Sequence, residues 1–356
     1  MHWHTNRRLI ASQAVPEPEY FRLAYDFLRS WSHNQPHYQL HTSGSTGEPK
    51  PITLLREQLV SSAHLTGKAL QLPKGTRALV CLNVRYIAGV MMLVRGMELD
   101  WDLTIVEPSG NPLLQVPTDH AFDFVAMVPL QLSTILENKE TRKRVSSLGK
   151  VLLGGAPVGV ALHEQIRRMS IPVCQSYGMT ETVSHVALRL LNGKEASDDF
   201  TLLEGVEFGL DQRGCLYVSG PMTLHQTVQT NDLVEITSER SFRWIGRVDN
   251  IINSGGIKIP LDKVDQLVEQ ILYDIGCPFD CFSWFEPDEK LGQRLILVVK
   301  NQDIYFPADN VCSEMKRRES VYLVPKHIYF VDEFIKTPTD KVDKRRTVAL
   351  LKRVDE

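Results

Sequence analysis

The sequence predicts an α/β fold, with a large N-terminal domain followed by a smaller α+β unit. Three observations predict it. The chain has 356 residues, enough for about two domains with a sizeable core. Up to about residue 200, short apolar runs alternate with helical stretches, the pattern of a largely parallel sheet. Beyond that the texture changes to short strands and turns.

In chain order, Tyr20, Phe21, Leu23, Phe27 and Leu28 stand at roughly helical spacing, which predicts one or two helices near the N-terminus. Strands are predicted at Ala78–Val84, Leu103–Val106, Phe124–Val128, Val151–Leu153 and Val173–Cys174, with helices at Leu130–Leu136 and Val158–Met169. From residue 202 the segments Gly214–Gly220, Leu233–Ile236 and Phe242–Gly246 read as a small antiparallel subdomain. After Asp249 come a glycine-containing stretch, Pro260, and a helix with Val264, Leu267, Val268, Ile271 and Leu272 on one face. Strands at Leu295–Val299 and His327–Val331 complete the second unit. The boundary is placed at Val248–Asn250, giving domains 1–248 and 249–356.

Composition narrows the classes of function. Hydrophobic content of 43% and charged content of 23% are those of an ordinary globular protein. A net charge of −3 gives no reason to expect nucleic acid or an anionic membrane as partner. The start, Met1 to Arg8, leads into no continuous apolar stretch of the signal-peptide kind, and the run Ala88–Val94 is too short to span a bilayer. The six cysteines are scattered, and the close pair Cys277 and Cys281 lacks partners to complete a zinc set. Free thiols and a cytoplasmic location are the expectation.

The most informative stretch is His41–Lys50. Thr42, Ser43, Ser45 and Thr46 supply hydroxyls, Gly44 and Gly47 allow close backbone approach to an anion, and Lys50 supplies charge. This is a phosphate-holding composition, though without the Gly-Lys-Ser/Thr of a Walker loop. Further stretches follow it: Gly154-Gly-Ala-Pro157, Tyr177-Gly-Met-Thr-Glu181, Thr230-Asn-Asp232, Gly246-Arg-Val-Asp249 with Ser254-Gly-Gly256, and Lys336-Thr-Pro-Thr-Asp-Lys341.

In this order the six stretches resemble the motifs of the acyl-adenylate-forming (AMP-binding) superfamily of acyl-CoA synthetases, adenylation domains and luciferases. The resemblance covers residues 41 to 346. It implies a shortened AMP-binding domain with a mobile C-terminal domain behind it. The implied chemistry joins a carboxylic acid to ATP, giving acyl-AMP and pyrophosphate, commonly followed by attack of a thiol such as that of CoA.

Each motif then has an implied part. Thr42, Ser43, Gly44, Ser45, Thr46, Gly47 and Lys50 would wrap the β- and γ-phosphates. Tyr177 would offer a flat face to adenine, with Gly154, Gly155, Ala156 and Ser176 around the ring. Thr180 would donate to the α-phosphate, and Glu181 would be the Mg²⁺ ligand, since a hard cation takes carboxylate and phosphate oxygens. Asp232 would accept from the ribose hydroxyls. Arg247 could reach the same ribose, although a salt bridge to Asp249 fits it equally. Asp249 would be the hinge, and Lys341 the catalytic lysine that stabilises in-line displacement at phosphorus.

The chain departs from the superfamily pattern in three places. Asn231 stands where the ribose motif has glycine, and asparagine tolerates a left-handed backbone there. Asp340 stands where glycine precedes the terminal lysine. The region before the phosphate loop is short, and a homodimer is one way to rebuild what it lacks.

Within the superfamily the chain is most similar to o-succinylbenzoate–CoA ligases of menaquinone biosynthesis, through Gly178–Arg189 and the Gly154-Gly-Ala-Pro turn. A dicarboxylate needs a cation or several donors for the carboxylate that does not react. Ser184, His185 and Arg189 are candidates, as are Arg85 and Arg95, which flank Ile87–Val94, and His185 and Arg85 are expected to supply most of that contact. Another aryl or fatty acid, an adenylate handed to a carrier protein, and a non-catalytic nucleotide-binding regulator stay open as alternatives. Retention of Glu181 and Lys341 speaks against the last, because a mere binder needs neither.

Overall fold

The computed structural model of the chain describes residues 1–41, 51–300, 305–337 and 342–351. At its centre is a twelve-stranded sheet. Five neighbouring strands in it run parallel: Asp102–Val106, Arg77–Val80, Phe122–Met127, Leu148–Leu153 and Val173–Gly178. Successive side chains point to opposite faces of a strand. Ala78 and Val80 accordingly pack with Phe124 and Ala126 on one face, while Leu79 and Cys81 pack with Val125 and Met127 on the other. Burial on both faces is why these strands read as unbroken apolar runs.

The run Ala88–Val94 lies in the helix Ile87–Glu98, whose residues from Gly89 to Met97 are all buried. It packs against helices Arg56–Ala69 and Glu19–Ser32. Each fully buried large aliphatic side chain there contributes about 1.5–3 kcal/mol. The charged Arg95 is carried into this core with them.

The antiparallel region is not a separate sheet. Val173–Gly178 pairs antiparallel with His185–Leu190, which pairs with Phe200–Leu202. Ser241–Arg247, Val228–Ser238, Cys215–Ser219 and Glu207–Leu210 extend the same sheet. At the opposite edge His2–Thr5 lies antiparallel to Asp102–Val106.

After Arg247 the chain turns through Val248–Asn250 and builds a five-stranded sheet. It contains Ile257–Pro260, Ile251–Ser254, Gly292–Lys300 and Cys281–Asp288, with His327–Val331 parallel to Gly292–Lys300. Helix Leu261–Asp274 covers it, burying Val264, Val268, Ile271 and Leu272. The same helix reaches back to the larger sheet's elements. Glu269 accepts the Val160 N–H at 2.9 Å, at the head of helix Val160–Arg167. Asp262 accepts the Arg247 N–H at 2.9 Å and the Asn250 side-chain amide at 3.1 Å. Burial raises the pKa of both carboxyls.

A two-stranded sheet pairs His37–His41 with Pro51–Leu55, His41 opposite Pro51. These strands bracket Thr42–Lys50. That segment and Lys341 lie outside the described residues. All six cysteines are free, and no described helix is long and apolar enough to cross a membrane.

Candidate functional site

The motif residues gather at the carboxyl ends of the parallel strands, where open α/β sheets bind ligands. Gly154 and Gly155 follow strand Leu148–Leu153 directly. A side chain on Gly154 would place its Cβ 2.6 Å from the Ser176 hydroxyl, which donates to the Leu153 carbonyl at 2.9 Å. Gly155 has φ of +80°, a conformation glycine adopts freely. This brings Gly154, Gly155, Ala156 and Ser176 to one place beside Tyr177.

The Tyr177 hydroxyl donates to Asp232 Oδ2 at 2.6 Å, and Trp244 Nε1 donates to Asp232 Oδ1 at 3.3 Å. Phe242 meets the Tyr177 ring edge-on, with centroids 5.1 Å apart. Burial and the neighbouring Asp232 push the phenol pKa up, which keeps it a hydrogen-bond donor. Arg247 stands opposite Asp232 in the strand register, and its guanidinium holds Asp249 at 2.9 Å. The Asn231 amide also donates to Asp249, at 3.2 Å. Asn231 lies inside strand Val228–Ser238 and is absent from the residues with positive φ, so the expected left-handed turn does not occur there. Its side chain contributes a hydrogen bond to Asp249 instead.

Between Gly178 and His185 the chain doubles back. Thr180–Thr182 forms a 3₁₀ turn with Glu181 exposed and Thr180 buried. Among the described residues no cluster of three His, Cys, Asp or Glu side chains forms a ready-made metal site. Glu181 presents an exposed carboxylate, the kind of oxygen ligand that a hard cation takes together with phosphate oxygens.

Ser184 and His185 enter a buried polar cluster contributed by three elements. Ser184 Oγ lies 2.7 Å from Ser62 Oγ and accepts from the Arg95 guanidinium at 3.2 Å. His185 Nε2 lies 3.3 Å from Thr66 Oγ1. Because the Thr66 hydroxyl donates to the Ser62 carbonyl at 3.0 Å, the histidine supplies the proton of the Thr66–His185 contact. Burial, followed by the charge of Arg95, pulls the His185 pKa down to about 3, so the ring is neutral near pH 7.

Arg95 is 3% exposed, and no carboxylate among the described residues pairs with it. Its Nε is buried without a hydrogen-bond partner there, and one terminal nitrogen faces the Met92 sulfur at 3.7 Å. Burial lowers its pKa to about 10, which leaves it cationic at neutral pH.

The other two arginines lie elsewhere. Arg85 precedes the helix, sits on the surface and pairs with Glu19 at 3.3 Å. Arg189 donates to the Gln175 side chain at 2.7 Å and to the Asp198 carbonyl at 3.0 Å, with its guanidinium 4.9 Å from the Phe200 ring centre. Ser62 and Thr66 were not anticipated. Their only signal is an i, i+4 hydroxyl pair beside the apolar Leu59 and Ala63 on helix Arg56–Ala69.

The family model described as AMP-binding enzyme matches residues 9–207, and the chain belongs to that family. It is an AMP-forming enzyme of the acid–thiol ligase, or acyl-CoA synthetase, class. The 2-succinylbenzoate–CoA ligase of Enterococcus faecalis is 24% identical, covering 86% of this chain and 68% of the relative. The ligase of the same name from Staphylococcus epidermidis is 26% identical at the same coverages. A solved acyl-CoA synthetase (AMP-forming)/AMP-acid ligase II-like protein from Dyadobacter fermentans is 56% identical, with a TM-score of 0.69, covering 99% of this chain and 100% of that one. The o-succinylbenzoate CoA synthetase of Bacillus subtilis shares the fold at 22% identity, with a TM-score of 0.72, covering 86% of this chain and 68% of that one. That enzyme has been solved with its acyl-adenylate intermediate and, separately, with ATP and a magnesium ion.

Proposed function

We propose that the chain activates o-succinylbenzoate as an acyl-adenylate and transfers the acyl group to CoA, a step of menaquinone biosynthesis. The observation that carries the choice of a dicarboxylate is Arg95, a buried cation with no carboxylate partner among the described residues. An unpaired buried charge costs several kcal/mol, so a guanidinium placed this way favours an anionic partner. Arg95 would take the carboxylate that does not react, with Ser184 and Ser62 supplying hydroxyls. His185, neutral and engaged with Thr66, would shape this pocket without adding charge. The names of the curated relatives support the same acid.

In the first half-reaction a carboxylate oxygen of the acid bonds to the α-phosphorus of ATP, and pyrophosphate leaves. Tyr177, Gly154, Gly155, Ala156 and Ser176 would hold adenine, Asp232 and Arg247 the ribose, and Thr180 the α-phosphate. Mg²⁺ on Glu181 would neutralise phosphate charge. Roles for Thr42–Lys50 and for Lys341 rest on their motifs. In the second half-reaction the CoA sulfur bonds to the acyl carbon and AMP leaves. Residues 249–356 would swing about Asp249 between the two steps.

Pyrophosphate release over a panel of acids, with and without CoA, tests the proposal. Turnover of o-succinylbenzoate with CoA-dependent thioester formation is expected. Preference for a fatty or simple aromatic acid would remove the substrate assignment and leave the ligase chemistry in place. Adenylation that does not proceed to CoA would point to a carrier protein as acceptor.

A further inference from the structure

Between Thr182 and Ser184 the chain adopts a conformation that branched residues avoid. Val183 has φ of 67° and ψ of −57°, and the Ser184 N–H donates to the Thr182 carbonyl at 2.7 Å. A bond from i to i+2 with these dihedrals is the γ-turn of positive φ, which is rare and strained. For a β-branched residue a positive φ is a genuine outlier. Such strain persists only where the surroundings over-determine it.

The surroundings here do so from three sides. The Val183 side chain is fully buried in the main hydrophobic core. The Thr182 hydroxyl accepts the Met179 N–H at 3.0 Å and donates to the Ser184 carbonyl at 2.8 Å, clamping both ends of the turn. Gly178 lies directly against it, because a Cβ there would fall 2.2 Å from the Ser184 oxygen. The next residue along is Ser184, whose hydroxyl meets Ser62 and Arg95.

We infer that Val183 is a positioning residue for the acid. Its buried isopropyl group holds the γ-turn, and the γ-turn holds the Ser184 hydroxyl on Arg95. Glycine would adopt the same φ without strain, but it would bring no anchor. Ser184 would then be free to leave the guanidinium. The inference rests on the reading of the Arg95 pocket given above.

The conformation and the coupling are tested separately. Val183→Gly and Val183→Ala both remove the isopropyl group, but only glycine tolerates the positive φ. The glycine variant is expected to melt at or above the temperature of the alanine variant, the reverse of the usual order. A glycine variant melting well below alanine would overturn the γ-turn. For the coupling, the acid KM is measured by pyrophosphate release with whichever acid the wild type turns over. Val183→Gly is expected to raise it about tenfold, the scale of a weakened charge-assisted hydrogen bond, and to move the ATP KM by less than about twofold. In a Ser184→Ala background the same change should move the acid KM by less than about twofold. Val183→Ile, which keeps a branched anchor, should restore near-normal KM. Equal effects of Val183→Gly in the two backgrounds would overturn the inference. An unchanged acid KM in Arg95→Met, with the Val183–Ser184 coupling intact, would remove the Arg95 reading and leave the role of the turn standing.

Discussion

The Tyr177 hydroxyl and Asp232 meet at 2.6 Å across 55 residues of sequence, joining strand Val173–Gly178 to strand Val228–Ser238. Asp232 is thereby held by two donors, Tyr177 and Trp244, one on each oxygen. The proposed ribose contact would thereby be pre-oriented, and the two residues would make separable contributions. Tyr177→Phe keeps the ring beside Phe242 and removes one donor. It should cost about 1–2 kcal/mol of stability and raise the ATP KM less than about fivefold. Asp232→Ala removes the acceptor itself and should raise the ATP KM by about tenfold or more, at unchanged acid KM. Initial rates with ATP varied, together with thermal melts, distinguish the two. Equal effects on ATP and acid would remove the ribose assignment.

His185 makes stability depend on pH in a definite direction. Its folded pKa is about 3, depressed by burial, against about 6.5 in an unfolded chain. Between these values the unfolded state binds the extra proton, so stability is complete above about pH 6.5 and falls as the pH drops towards 3. One such group contributes a slope of up to about 1.4 kcal/mol per pH unit. Denaturant midpoints measured from pH 4.5 to 7.5 should show the wild type losing ground to His185→Gln on acidification. A constant difference between the two proteins would mean that the ring is protonated or exposed in the native state.

The proposed hinge separates the two half-reactions. Asp249 sits in the 3₁₀ turn Val248–Asn250, and its carboxylate takes both Arg247 and Asn231. Proline fixes φ near −65°, within the range of a 3₁₀ turn, so Asp249→Pro should hold the turn in place. Pyrophosphate release should persist while thioester formation falls by at least tenfold. Asp249→Ala, which loses the carboxylate but can still rotate, should retain both steps. Equal loss of both steps in the proline variant alone would place the hinge elsewhere.

Much of this architecture was legible because burial on both sheet faces produces continuous apolar runs, as at Leu79, Val80 and Cys81. The strands Ile251–Ser254, Ile257–Pro260 and Cys281–Asp288 were harder to see. Polar residues such as Asn253, Lys258 and Ser283 interrupt them, and glycines bend the first pair. The adenine and ribose segments were placed by motif, and the structure brings Gly154, Ser176, Tyr177 and Asp232 together. The proposed acid site was less legible. Arg85 and Arg95 flank the same apolar run, and what separates them is the start of the helix at Ile87. Upstream of it Arg85 stays in water. Within it Arg95 is swept inward with Met91, Met92 and Val94. Ser62 and Thr66 carry only their i, i+4 spacing as a signal, and it is a weak one because hydroxyls are as common on surfaces. Only the packing of their helix against Ser184 and His185 gives them a role.

Arg95→Met tests the central claim most directly. Methionine has a similar reach and no charge, so it removes the desolvation cost of an unpaired buried guanidinium. Initial rates of pyrophosphate release are measured for o-succinylbenzoate and for an analogue lacking the carboxylate that is not adenylated. The wild type should prefer the diacid strongly. In Arg95→Met that preference should fall about tenfold or more, with the ATP KM unchanged and the melting temperature held or raised. A variant that keeps the full preference for the diacid, or that loses activity on both acids alike, would contradict the assignment of Arg95 as the reader of the second carboxylate.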